Sequence, residues 1–148
     1  MRVSTGFTAA LLLVGAMALA SCADTDSKTV AMTAALNGAN EVPPNTSAGK
    51  GDATINLDKA TKTLSWTVSY SGLTGDATAA HFHGPALPGA NAGVVVPIGM
   101  GSVPNPIVGS KVLTDAQIAD LLAGKWYVNI HTKANPGGEI RGQVVAKM

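Results

Sequence analysis

Gly51-Asp52-Ala53-Thr54-Ile55-Asn56-Leu57-Asp58 and, after a short turn, Thr63-Leu64-Ser65-Trp66-Thr67-Val68-Ser69-Tyr70 are two runs of strict alternation. Gly51, Ala53, Ile55 and Leu57 share one parity of the first run. Leu64, Trp66, Val68 and Tyr70 share one parity of the second. A period of two is that of a strand with one buried face, and the turn around Asp58-Lys59-Ala60 makes the pair a hairpin. Upstream, Val30, Met32, Ala34 and Leu36 repeat the pattern. Residues 37–49 hold Asn37-Gly38 and Pro43-Pro44 and read as a loop.

Downstream, 71–76 is a second loop. It leads into Thr78-Ala79-Ala80-His81-Phe82-His83-Gly84-Pro85-Ala86. Residues 84–93, rich in Gly and Pro, are irregular. Val94-Val95-Val96-Pro97-Ile98 is a short apolar strand, and 99–106 is another Gly/Pro connector. Thr114 as N-cap with Gln117 three residues on fits a capping box. Ile118, Leu121 and Leu122 form the apolar stripe of that helix, and Gly124 stops it. Trp126 to His131 is a strand, Asn135-Pro136-Gly137-Gly138 a turn, and Ile140, Gly142 and Val144 the inward parity of a last strand. Glu139, Arg141 and Gln143 take the other parity, on the side of His131. The expected fold is an all-β antiparallel sandwich with one short helix near 114–123.

The chain has 148 residues, 46% of them apolar and only 13% charged, with a formal net charge of +1. One domain is expected once a leader is set aside. No basic field exists to attract nucleic acid. A single Cys excludes an internal disulfide and a Cys-rich zinc site.

All three histidines fall in two of the predicted strands. Residues two apart in a strand share a face. His81 and His83 therefore share one, with Phe82 on the other. His131 alternates with Trp126, Val128 and Ile130 and so lies on the less apolar face. All three imidazoles are expected to point away from the core. Neutral imidazole is a ligand for copper and zinc. Two steps along a strand span about 6.6 Å and neighbouring strands lie about 4.8 Å apart. Three rings can then converge on one ion. With no thiolate, a blue-copper site is excluded, and three nitrogens favour copper over zinc. Met100 is a loop thioether with nothing to fix its position. The alternative role is structural: ring N–H groups tie loops to backbone carbonyls or pair with Glu139 and Asn129. Glu139 and Arg141 are expected to form a solvated same-face ion pair, and the loop Asn40-Glu41-Val42-Pro43-Pro44 to cap the sandwich edge.

Residues 1–21 read as a targeting segment, with Arg2 ahead of an apolar run from Phe7 to Ala20. The run is shorter than the roughly 20 residues of a span. Leu19-Ala20-Ser21-Cys22 resembles the lipobox of bacterial lipoproteins, which implies acylation of Cys22 and a membrane anchor through the N-terminal lipid. Residues 22–28 would be a tether, and Ala23 after the Cys implies transfer to an outer membrane where the cell has one.

Five separated segments together resemble the CHRD domain, over about residues 30 to 146. They are Leu36-Asn37-Gly38-Ala39-Asn40-Glu41-Val42-Pro43-Pro44, Ala79-Ala80-His81-Phe82-His83-Gly84-Pro85-Ala86, Leu113-Thr114-Asp115-Ala116-Gln117, Leu121-Leu122-Ala123-Gly124, and Tyr127-Val128-Asn129-Ile130-His131-Thr132 running on to Pro136-Gly137-Gly138-Glu139-Ile140-Arg141-Gly142-Gln143. The domain is assigned to 29–147. His-x-His on one strand with a distant His on another is also similar to the copper half of Cu,Zn superoxide dismutases, themselves β-sandwiches. No fourth and no bridging histidine exists here, so a dismutase site of that composition is absent. Trp66 at an inward position is similar to the core Trp of immunoglobulin domains, without the Cys pair. The expectation is an exported, lipid-anchored envelope protein binding copper through His81, His83 and His131, with Asn129, Glu139 and Arg141 behind them. An interaction or matrix-adhesion module docking another envelope protein is the alternative. A copper-dependent redox enzyme is a third.

Overall fold

The structure, a computed structural model, describes residues 28–147. The expected targeting segment and Cys22 lie outside the described residues. The elements are β1 (Thr29–Asn37), β2 (Lys50–Asp58), β3 (Thr63–Ser71), β4 (Ala77–His83), β5 (Val94–Met100), β6 (Ile107–Val112), α1 (Asp115–Leu122), β7 (Tyr127–Thr132), β8 (Ile140–Gln143) and β9 (Val145–Ala146). Among the described residues, no helix is long and apolar enough to cross a membrane.

The hairpin of β2 and β3 forms in the register its alternation requires. Ala53 faces Val68, Ile55 faces Trp66 and Leu57 faces Leu64. All six are buried. β1 pairs with β2 so that Met32 meets Ile55 and Ala34 meets Ala53. Each apolar parity therefore lands on the same face of one antiparallel sheet.

That sheet runs β5-β4-β7-β8-β1-β2-β3-β6, with β9 paired to β1. It curls over itself, and its two edge strands β5 and β6 approach each other. The Trp66 ring of β3 meets the Phe82 ring of β4 edge-on, with centroids 5.4 Å apart. Phe82 also touches Trp126, at 5.9 Å. Strands near opposite ends of the sheet thus share one core, as in a sandwich or a nearly closed barrel. Phe82 and Ala80 point inward and are fully buried, which commits His81 and His83 to the other face.

The helix begins on the expected capping box. Thr114 Oγ1 accepts from the Gln117 backbone N–H at 3.2 Å, and Gln117 Oε1 accepts from the Thr114 N–H at 2.9 Å. Leu121 is buried and Ile118 packs against the core, but Leu122 is 48% exposed. A two-turn helix lying on a sheet buries a narrower stripe than the sequence pattern implied. Strand β6 falls just after the 99–106 connector and was not expected. Its Gly109 faces Trp66 across the sheet, and a Cβ there would stand 2.7 Å from Trp66 Cζ2. The indole fills the space a side chain would need.

Candidate metal centre

β4 and β7 are antiparallel neighbours, in the register Ala79 to His131, His81 to Asn129 and His83 to Tyr127. β8 continues the row with Arg141 beside Asn129 and Gln143 beside Tyr127. The face opposite the apolar core therefore carries His81, His83, Tyr127, Asn129, His131, Arg141 and Gln143. The sandwich expectation placed this face outside. The rings do turn away from the core, but the face is covered. His131 is 8% and His83 9% exposed, while Asn129, Arg141 and Tyr127 are nearly fully buried. The cover is made by loops 38–49 and 84–93. Arg141 Nη1 donates to Asn91 Oδ1 at 2.8 Å, Nη2 donates to the Ala90 carbonyl, and Asn91 Nδ2 donates to the Val42 carbonyl at 3.1 Å. Asn40 Nδ2 donates to the Arg141 carbonyl at 3.1 Å.

The three imidazoles meet. One ring nitrogen from each of His81, His83 and His131 lies within 4.8 Å of the others. His81 Nδ1 stands 3.0 Å from His131 Nε2. The proton positions follow from the partners, since a carbonyl only accepts. His131 Nδ1 is 3.0 Å from the Pro136 carbonyl, so Nδ1 carries the proton and Nε2 keeps a lone pair. His83 Nδ1 is likewise 3.0 Å from the Ala92 carbonyl. Its Nε2 is buried with no partner. His81 Nδ1 then donates to His131 Nε2. Carbonyl partners of this kind are what fix the tautomer of metal-ligating histidines.

Burial lowers the pKa of all three rings. For His81 it is first in order, followed by repulsion from His131 and His83, and together they take it down to about 4. Burial leads for His83 and for His131 too, against the carbonyl hydrogen bonds that raise them. The cluster is neutral near pH 7, the form that binds cations.

Behind it, His83 stacks on Tyr127 at 4.9 Å and nearly parallel, and the Arg141 guanidinium lies 3.5 Å over the Tyr127 ring. Because β7 runs between β4 and β8, Tyr127 is held between the two. Asn129 Nδ2 donates to both Glu41 oxygens, at 3.1 and 3.2 Å, while its Oδ1 is buried without a partner. Glu41 is itself buried, and burial raises its pKa to about 7 against the Asn129 bond and the Arg141 charge.

Two expectations are corrected. Glu41, read as part of an edge cap, is a buried carboxyl that the covering loop lays against Asn129 of this face. Glu139 and Arg141 do not form a surface ion pair. Both are buried, and Glu139 takes its hydrogen bonds from Ser47, Thr74, Thr132 and Asn135. Thr132 lies on the opposite parity of β7 from His131, so the Glu139 carboxylate is turned off the histidine face. Burial would raise its pKa, but the hydrogen bonds from Ser47, Thr132 and Thr74 outweigh that and hold it at about 2. Neutral donors supply what a cation would have supplied. Arg141 reaches the cluster through the Tyr127 ring, and Asn129 by sitting opposite His81. Glu41 and Tyr127 were missed, Tyr127 although its parity with His131 was visible.

Comparison with protein-family models matches residues 32–144 to the CHRD domain. No curated protein and no solved structure matches the chain.

Proposed function

The chain belongs to the CHRD domain family, and on that premise we propose that it is an exported, lipid-anchored domain of the cell envelope that binds copper through His81, His83 and His131. One observation carries the metal reading. Three neutral imidazoles converge within 4.8 Å, and two of them have their Nδ1 protons fixed on backbone carbonyls. That leaves Nε2 lone pairs on His83 and His131. His81 offers Nδ1 once its proton moves to Nε2. Three nitrogens and no thiolate suit copper above zinc in intrinsic affinity. Bound copper would supply one-electron chemistry or be carried as cargo, and the chain's part is to hold the rings neutral and oriented. Export and anchoring are supported by the apolar run before Leu19-Ala20-Ser21-Cys22.

Titration of metal-free protein with Cu²⁺ and Zn²⁺ by calorimetry tests the site. The expected result is one copper per chain, bound tighter than zinc and lost in the His81→Ala/His131→Ala double variant. Equal copper affinity in both proteins refutes the site. It would favour a second reading, an interaction or matrix module in which the same carbonyl bonds of His83 and His131 only brace the covering loops. Superoxide turnover by copper-loaded protein, absent in the double variant, would add an enzymatic role. Mass spectrometry of the mature N-terminus tests the anchor: a diacylated Cys22 is expected, and an unmodified leader overturns it.

A further inference from the structure

Met100 carries a metal-ligating atom that the metal reading leaves unused. Read from the sequence as a loop thioether, it is the last residue of β5 and pairs with Ala79 of β4. The Gly101 N–H that follows donates to the Thr78 carbonyl at 2.9 Å and ties the strand end down. Ala79 also pairs with His131 of β7. Residues paired across a sheet point to the same side. Met100, Ala79 and His131 therefore form one row on the histidine face, and Ala79, between the two long side chains, carries only a methyl group. Along β4, His81 comes two residues after Ala79, which makes it the diagonal neighbour of Met100. Such neighbours lie about 7–8 Å apart, within reach of long side chains. His131 leans the same way, with its Nε2 3.0 Å from His81 Nδ1.

The cluster is open on this side. The carbonyls of Ala92 and Pro136 close over His83 and His131, and both rings are buried. His81 is only half-buried, and its partner on β5, Pro97, is exposed. β5 ends the sheet, with no hydrogen-bonded neighbour beyond it. Met100 stands on that edge, 70% exposed. An unbranched thioether with three rotatable bonds can turn there from solvent toward the rings.

We propose that Met100 Sδ is a fourth ligand of the ion held by His81, His83 and His131, engaged by Cu⁺ and not by Cu²⁺. This rests on the metal reading above. A thioether is a soft donor that selects Cu⁺, whereas imidazole serves copper in either state. Three neutral rings and a thioether bring no negative charge into a largely buried site, which suits the ion of lower charge. The consequence is a centre whose fourth donor lies on the edge strand, where the ion enters and leaves.

The test loads metal-free protein with Cu⁺ under anaerobic conditions and, separately, with Cu²⁺. Both the reference protein and the variant carry Cys22→Ser, so that no thiol competes for Cu⁺. Met100→Leu keeps the volume and removes the donor, at a position exposed enough to leave the fold intact. Competition with bathocuproine disulfonate is expected to show Cu⁺ affinity about tenfold or more lower in Met100→Leu, with Cu²⁺ affinity by calorimetry within about twofold. X-ray absorption at the copper edge is expected to show one sulfur neighbour in the Cu⁺ sample, none in the Cu²⁺ sample, and none in either sample of Met100→Leu. Unchanged Cu⁺ affinity in Met100→Leu overturns the proposal, as does a sulfur neighbour that persists in it. An equal fall in Cu²⁺ affinity overturns the selectivity. The His81→Ala/His131→Ala variant reports on the metal reading separately: if it binds both ions as the reference protein does, that reading fails and the proposal fails with it.

Discussion

Glu139→Gln removes one charge and almost no volume, and the surroundings of Glu139 make its cost calculable. The side chain is fully buried. Oε1 accepts from Ser47 Oγ at 2.6 Å and from the Thr74 N–H at 2.7 Å. Oε2 accepts from Thr74 Oγ1 at 2.7 Å, Thr132 Oγ1 at 2.6 Å and Asn135 Nδ2 at 3.1 Å. An amide nitrogen placed at Oε1 would face the Thr74 N–H, which cannot reverse. At Oε2 the two hydroxyls can turn to accept, but Asn135 Nδ2 loses the nearer of its two acceptors and keeps only Thr74 Oγ1, at 3.4 Å. The bonds that survive become neutral, and hydrogen bonds to a charged group are worth about 1.5–3 kcal/mol against about 1 for neutral ones. Over this cluster the loss is about 3–5 kcal/mol. Linkage gives a second route to the same quantity. The carboxyl sits at about 2 in the folded chain against an ordinary 4.5, and at about 1.4 kcal/mol per unit this is roughly 3 kcal/mol. The folded pKa is the lower one, so this stability is fully present above pH 4.5 and is lost as pH falls toward 2. Urea unfolding followed by the fluorescence of Trp66 and Trp126 is the assay. At pH 7 the variant should lose about 3–5 kcal/mol, a large part of an ordinary domain's 5–15. The gap to wild type should narrow as pH drops from 4.5 toward 2. A variant within about 0.5 kcal/mol of wild type at pH 7, the range of ordinary surface changes, would refute the reasoning.

Three further outcomes follow from the same face. Gly138→Ala should cost about 3 kcal/mol or more in thermal unfolding, since φ is +134° there and the new Cβ would stand 2.6 Å from Asn129 Nδ2 and Oδ1. Wild type should lose stability as pH falls from 6.5 toward 4, because the unfolded histidines take up protons that the folded His81, held at about 4, refuses; His81→Gln should flatten that slope in pH-dependent urea midpoints. Glu41 works in the opposite sense. Its folded pKa of about 7 lies above the ordinary 4.5, so stability is lost as pH rises from 4.5 through 7, and Glu41→Gln should be more stable relative to wild type at pH 8 than at pH 4, by about 3 kcal/mol.

Parity was legible because it is local. His81 and His83 alternate with Phe82 and Ala80, and His131 with Val128 and Ile130, so four inward neighbours fix the direction of three rings. The same rule misplaced Glu139. It holds only while the strand continues, and Gly138, at positive φ immediately before Glu139, ends it. The cover over the histidine face was not legible. It depends on contacts such as Arg141 with Ala90 and Asn91 with Val42, between segments about fifty residues apart whose Gly and Pro content reads only as irregular. Glu41 was missed for that reason: a lone carboxyl beside Pro43 and Pro44 looks like a loop tip until a second loop closes over it. Strand β6 was missed because Gly109 weakens its pattern, and the reason for that glycine, the Trp66 indole, sits on another strand.

The two faces of the β4-β7-β8 segment put different demands on the chain. On the inner face the apolar side chains are satisfied by contact, and a close-packed core has no use for direction. The outer face is buried as well but polar, and buried polar groups must each find a partner. Most do: Arg141 has Asn91, Ala90 and the Tyr127 ring, and two imidazoles have carbonyls. Among the described residues three buried side-chain polar atoms lack a partner, and one of them, Trp66 Nε1, belongs to the core. On this face they are His83 Nε2 and Asn129 Oδ1, on neighbouring strands. A merely structural network would spend these acceptors on loop N–H groups. A free Nε2 lone pair on a neutral imidazole, fixed by the carbonyl bond at its Nδ1 and set among two other rings, is the arrangement that a cation completes.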